Sequence, residues 1–277
     1  MNEKRQFFTL AASNECIVAV GGVFGAVGNF YATNPVCSPI ECYSIERDMW
    51  QSLRDCQVPI LKWPGACLFT KHQQQRYVFI VGGKLADEDK RHALSPHAYI
   101  VNLDTLECEV CSPPITNRFS PSVFYDSTDD KIILFGGEDE KYRLAPCIEI
   151  FDLRSRQWSE VATIPVSLSY QTVSSTVMIQ SKIYYILEEH DGPSAESYNL
   201  KSGYFDLSTW QTEEPINLPH PSTLASKWCS LVFPRAFLEK CQALICSSNQ
   251  DDTSTATTTN HHHHHHHHQT VGVDENQ

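Results

Sequence analysis

The chain is predicted to be all-β and built from repeats, and three observations carry that prediction. An unbroken apolar run closed by a glycine pair occurs three times, as Ile17-Val18-Ala19-Val20-Gly21-Gly22, Val78-Phe79-Ile80-Val81-Gly82-Gly83 and Ile132-Ile133-Leu134-Phe135-Gly136-Gly137. Such a run reads as a strand buried on both faces and stopped where backbone must pass without a side chain. The pairs start at 21, 82 and 136, a period of roughly 50 to 60 residues that suits one four-stranded propeller blade. No stretch of comparable length carries helical periodicity.

Taken in order, each repeat supplies four strands, a to d. Strand a precedes the glycine strand: Phe7 to Ala12, Gly65 to Phe69 and Ser122 to Tyr125. Short polar connections, Ser13-Asn14-Glu15, Lys71 to Arg76 and Asp126 to Asp130, make each a–b pair a hairpin. A long loop follows b. Strand c is Ile40-Glu41-Cys42-Tyr43, then Ala98-Tyr99-Ile100-Val101, then Ile148-Glu149-Ile150-Phe151, and strand d carries Trp50, Cys108 or Trp158. Two weaker copies follow. Lys182 to Glu188 puts Leu187 and Glu188 in the glycine slots behind a strand a of Val173 to Ile179, and Ala243 to Ser248 puts two serines there behind Trp228 to Phe233. Trp210 is assigned to the fourth strand d, twelve residues after Tyr198. A proline trails each tryptophan (Pro59, Pro165, Pro219) and suits the exit to the next unit, where no amide donor is needed.

With Gly21-Gly22, Gly82-Gly83 and Gly136-Gly137 in register with Tyr43 and Phe151, with Trp50 and Trp158 seven positions later, and with Glu41 and Glu149 two before the aromatics, the chain resembles a kelch-repeat β-propeller. The likeness is to the C-terminal domain of BTB-kelch proteins. It implies a propeller over residues 1–248, with blades near 5–58, 59–116, 117–166 and 167–220, a half blade at 221–248, and an incomplete ring. Residues 249–277, threonine-rich with eight histidines, cannot bury apolar surface and are expected to be disordered.

A net charge of −12 argues against nucleic acid or an anionic membrane as the main partner. No apolar run reaches the length of a membrane span, and no signal-peptide core precedes the first strand, so a cytoplasmic location is expected. The eleven cysteines fall mostly inside strands and read as reduced core thiols. Cys108 and Cys111 form the one close C-x-x-C pair, and no second pair or histidine set stands at zinc spacing, so no metal or cofactor is expected.

The long b–c loops open on one face of a propeller. They carry charge at Lys84 to His92, Glu138 to Arg143 and Glu188 to Asp191, and aromatics at Phe24, Phe30 and Tyr31. Charged loops are commonly just solvated. The sharper expectation is a partner-binding face with Phe30, Tyr31, Arg91, His92, Tyr142, Arg143 and His190 as contacts, since arginine and aromatics dominate hot spots. The resemblance implies a non-catalytic interaction domain that recruits a ubiquitination substrate to a cullin-based ligase. The alternatives are an actin-associated structural protein, which the acidic charge disfavours, and a galactose-oxidase-like copper enzyme. The last needs converging histidines and tyrosines, and only His72, His92, His97, His190 and His220 stand outside the tail. No catalytic motif is present.

Overall fold

The computed structural model describes residues 1–23, 38–71, 75–86, 93–165, 170–190, 198–212 and 216–217, all within one unit, Met1–Val232. Four antiparallel sheets follow one another along the chain. Blade 1 pairs β1 (Gln6–Ala12), β2 (Cys16–Val23), β3 (Ile40–Ser44) and β4 (Met49–Ser52) in sequence order. Blade 2 begins after β5 (Leu61–Lys62) and orders β6 (Gly65–Thr70), β7 (Arg76–Val81), β9 (Ala98–Asn102) and β10 (Cys108–Cys111), with β8 (Lys84–Leu85) pairing back to β5. Blade 3 is β11 (Ser122–Asp126), β12 (Lys131–Phe135), β13 (Cys147–Asp152) and β14 (Gln157–Thr163). Blade 4 is β15 (Tyr170–Ile179), β16 (Lys182–His190), β17 (Tyr198–Asp206) and β18 (Gln211–Thr212), with β19 (Ile216–Asn217) also on β17. Strands a of blades 1, 2 and 3 lie against one another, which makes them the innermost strands, with the glycine strands next.

Continuous apolar runs are explained by burial on both faces. In β7, Val78 and Ile80 pack toward blade 1 with Val18, Val20 and Ile40, while Phe79 and Val81 pack toward blade 3 with Ile132 and Leu134. In β12 the next alternation sends Ile133 and Phe135 toward Ile183, Tyr185 and Leu187 of blade 4. Blades 2 and 3 are therefore each a layer between two cores.

The glycine pairs work as designed kinks rather than strand ends. Both members hold positive φ, +70° and +89° at Gly82 and Gly83. A Cβ on Gly82 would sit 2.4 Å from the Arg118 carbonyl oxygen of the next blade, and one on Gly83 2.9 Å from Lys62 O of its own. Beyond the kink the chain resumes pairing with a residue at the blade entry: Gln6 with Val23, Lys62 with Lys84, and Phe119 with Glu138. Blade 4, with Leu187 and Glu188 in those slots, has no such break. There β16 runs on to His190, paired with β15 and β17 along its length, and β15 takes up the mismatch with a bulge between Val173 and Ser175.

Two expectations are corrected or narrowed. Trp210 is not the fourth strand-d tryptophan. Ile183 pairs with Phe205 as Ile132 pairs with Phe151, so Phe205, not Tyr198, is the repeat aromatic. Trp210 then falls at the left-handed residue of the c–d turn (φ 57°), where the other blades have Asp48, Leu106 and Arg156. Its ring still reaches Phe205 at 6.0 Å from inside that turn, as Trp50 and Trp158 reach Tyr43 and Phe151 across the strand pair at 5.3 and 5.1 Å. The half blade at 221–248 and the tail at 249–277 lie outside the described residues.

Candidate protein-binding face

The face that carries the b–c loops rests on a device repeated in blades 1 and 3. Just before strand a stands an arginine, Arg5 or Arg118, with a fully buried side chain; its partner on strand c is an equally buried glutamate, Glu41 or Glu149. Arg5 donates to the carbonyls of Gly21 (2.7 Å) and Ser38 (3.0 Å) and to Glu41 at 2.8 Å. Arg118 donates to Gly136 O (3.1 Å), Cys147 O (2.8 Å) and Glu149. The glutamates in turn accept backbone amides of the segment entering the blade, from Asn2 (2.8 Å), and from Ile115 (2.7 Å) and Thr116 (3.0 Å). Each cluster thus ties the blade entry, the glycine kink and the start of strand c together, and so fixes the root of the b–c loop. A charge pair this dry holds only where hydrogen bonds fill most of its remaining positions; in blade 1 the Arg5 Nε is left buried without a partner, whereas in blade 3 the Arg118 Nε donates to Thr116 O at 3.1 Å.

Around the central axis the blade entries are joined in series. Phe7, Trp63 and Ser120 occupy equivalent positions and all adopt left-handed backbone, with φ of 62°, 54° and 52°. The twist turns each peptide toward its neighbour: Trp63 N donates to Phe7 O at 2.7 Å, and Ser120 N to Trp63 O at 2.7 Å. Left-handed backbone at bulky residues is costly and persists where surrounding structure imposes it.

Those entries carry an arc of rings. Phe7 and Trp63 stand 4.5 Å apart, Trp63 and Phe119 5.9 Å, and Phe119 and Tyr142 5.3 Å edge to face. Lys84 plugs the arc. The residue is 3% exposed, and its ammonium lies 3.9 Å from the ring centroids of both Phe119 and Tyr142 and 5.7 Å from that of Trp63. Desolvated cation–π contacts of this kind are worth about 2 kcal/mol. Burial pushes the carboxyl of Glu138 above its usual range, and the Lys84 ammonium works against that shift. Tyr142 itself is 57% exposed although its ring is clamped from beneath. Beside it, Arg143 pairs with Asp139 at 2.6 and 2.9 Å, and that pairing helps hold the Asp139 carboxyl below its usual range against the opposing effect of burial.

Of the residues expected on this face, the structure places Tyr142 and Arg143 side by side and exposed. Phe30, Tyr31, Arg91 and His92 lie outside the described residues, and His190 is described only as the last residue of β16. Sequence reasoning missed Trp63, Phe119 and the role of Lys84. The signal was available as Trp63-Pro64 and Phe119-Ser120-Pro121, two aromatics set just before strand a, Trp63 in register with Phe7 and Phe119 one position earlier in register with Gln6.

Residues 126–165, from the end of strand a through strand d of blade 3, match the Kelch motif. Together with four blades of one strand order, that decides the architecture. The fold is a kelch-type β-propeller. A search of curated proteins finds no match to the chain. The motif match falls on a blade that, like blade 1, keeps the glycine pair, the buried glutamate and the stacked tryptophan together, whereas blade 2 lacks the last two and blade 4 all three.

Proposed function

We propose that the propeller is a non-catalytic protein-binding module whose partner docks over Tyr142 and the aromatic arc on the b–c loop face. The observation that carries this reading is Tyr142: a large ring, mostly exposed, yet held rigid by the edge of Phe119 and the Lys84 ammonium. A prelocked exposed aromatic loses little entropy on binding and is the residue type that dominates hot spots. Arg143 stands beside it with side-chain exposure of 63% and supplies a charged contact. By the resemblance to BTB-kelch proteins, the partner is a substrate brought to a cullin-based ubiquitin ligase, with Phe30, Tyr31, Arg91, His92 and His190 completing the same rim. The test is a pull-down with wild type, followed by titration of the recovered partner against Tyr142→Ala and Arg143→Ala. Both are expected to weaken binding about tenfold or more, while Arg143→Ala leaves stability within about half a kcal/mol. Unchanged affinity in both variants overturns the reading. Recovery of actin rather than a ligase substrate would favour the structural alternative.

A further inference from the structure

The opposite face of the propeller, where the a–b hairpins and c–d turns lie, holds a pair of facing thiols. Cys16 opens β2 opposite Ser44, and Cys42 sits on β3 opposite Val18, so the two are diagonal neighbours on the sheet face turned toward blade 2. Cys16 belongs to the buried core there, and the half-buried Cys42 packs against that core. Two cavities approach them from either side. One of about 570 Å³ between blades 1 and 2 is lined by Cys42, and one of about 280 Å³ nearer the axis is lined by Cys16. Arg76 borders both. The Ser13 hydroxyl lies 3.6 Å from the Cys16 sulfur. Cys16 is 1% exposed to bulk solvent, so the cavities are its means of access.

We propose that Cys16 and Cys42 form a hydroperoxide-oxidisable modification site, Cys16 reacting first and Cys42 closing a disulfide across β2 and β3. Surroundings assign the order. The Cys42 hydrogen bond brings the Cys16 thiol down to about 6; the Ser13 hydrogen bond and the Arg76 guanidinium add to it, while burial and Glu15 oppose. Cys42 moves the other way, raised first by that same hydrogen bond and then by burial. The Ser13 hydroxyl, 3.6 Å from the Cys16 sulfur, favours the negative charge there, so Cys16 is the thiolate, the form that attacks, and Cys42 the proton-bearing partner. The Cys16 thiolate attacks one oxygen of hydrogen peroxide; the O–O bond breaks, hydroxide leaves and takes up a proton, and Cys16 becomes a sulfenic acid. The Cys42 sulfur then attacks the Cys16 sulfur and expels water. Two thiols and one peroxide give one disulfide and two waters. Diagonal cross-strand neighbours stand about 7–8 Å apart, beyond the usual disulfide span, so closure requires a local backbone shift and the strained bond is expected to be readily reduced, as a reversible modification requires.

The test is peroxide titration of the folded chain with site-resolved mass spectrometry. Cys67, which burial alone pushes upward, serves as the internal reference. Expected in wild type is a Cys16–Cys42 crosslink, reversed by dithiothreitol and formed at least tenfold faster than any oxidation of Cys67. In Cys42→Ser, a dimedone adduct at Cys16 is expected to replace the crosslink. Oxidation of Cys16 no faster than Cys67, or a Cys16 sulfenic acid that persists in wild type with no crosslink, overturns the proposal. Both decisive readings come from the wild-type chain, so they stand even where the variant folds poorly.

Discussion

Glu149→Ala is the substitution that probes the propeller's framework most directly. The carboxylate is fully buried, and it neutralises Arg118, whose side chain is also fully buried. It also accepts the amides of Ile115 and Thr116. Removing it strands a guanidinium in a dry site, and breaking one side of such a pair costs about 3–5 kcal/mol. For a domain of this size each kcal/mol moves the melting temperature by about 2–4 °C, so a fall on the order of 10 °C is expected. Blade 2 shows how the same position is built without charge: Leu61 replaces the arginine, Tyr99 the glutamate, and Pro59, which has no amide to satisfy, stands where Thr116 donates. Both Leu61 and Tyr99 are buried in the core between blades 1 and 2. Copying that solution into blade 3, as Thr116→Pro with Arg118→Leu and Glu149→Tyr, is therefore expected to recover most of the loss, because well-packed apolar groups replace buried ion pairs at little cost. Thermal melts and urea titrations of the single and triple variants decide it. A Glu149→Ala melt within 2 °C of wild type, or a triple variant no more stable than the single one, would refute the reasoning.

Two further outcomes follow from geometry. Gly82→Ala is expected to destabilise more than Gly136→Ala, because the new Cβ meets a backbone oxygen at 2.4 Å in the first case and a Val173 methyl at 3.0 Å in the second, at similar positive φ; Gly136→Val should cost a few kcal/mol, and urea midpoints in the reverse order would contradict the close-approach argument. Asp104, against which burial works upward, is held below its usual range by the hydrogen bonds and charge of Arg76. Its folded pKa is depressed, so its contribution is present above the unfolded-state value near 4 and is lost as pH falls through the folded one. Wild type should then lose more stability than Asp104→Asn between about pH 5 and pH 2.5, and parallel melting curves across that range would count against it.

How much of this was legible in the sequence follows from which contacts are local. Strand identity and order could be read because burial on both faces writes an unbroken apolar run, and the positive-φ kink writes a glycine pair. Where blade 4 drops the glycines, the sequence showed the absence but not its consequence, an unbroken β16, because that depends on β15 bulging to keep step. Trp210 misled because a tryptophan near the expected spacing outweighed the turn chemistry around it. Asp206 accepts the Ser208 amide at 2.9 Å, as Asp152 accepts those of Arg154 and Ser155, and this places Trp210 inside the turn. On the binding face, Tyr142 and Arg143 could be picked out as loop residues of hot-spot type, but the arc beneath them could not. Lys84 and Tyr142 come from different blades, 58 positions apart in the chain, and meet only because the entry residues Phe7, Trp63 and Ser120 twist into one hydrogen-bonded series.

The buried pairs lie between these cases, and they show what an internal repeat can reveal without any relatives. A glutamate inside an apolar strand, as in Ile148-Glu149-Ile150, requires a cation, since an uncompensated buried carboxylate is not tolerated. Superposing the three intact kinks offers only one candidate position where blades 1 and 3 both have arginine and blade 2, lacking the glutamate, has leucine. The proline at 59 belongs to the same correlated change, because a blade with no carboxylate has no acceptor for the amide that Thr116 uses. Positions 31 to 38 residues apart, arginine with glutamate in blades 1 and 3 and leucine with tyrosine in blade 2, thus switch together between a charged and an uncharged state. That co-variation is a sequence-level signature of contact, and it would have located Arg5 and Arg118 before any coordinates were seen.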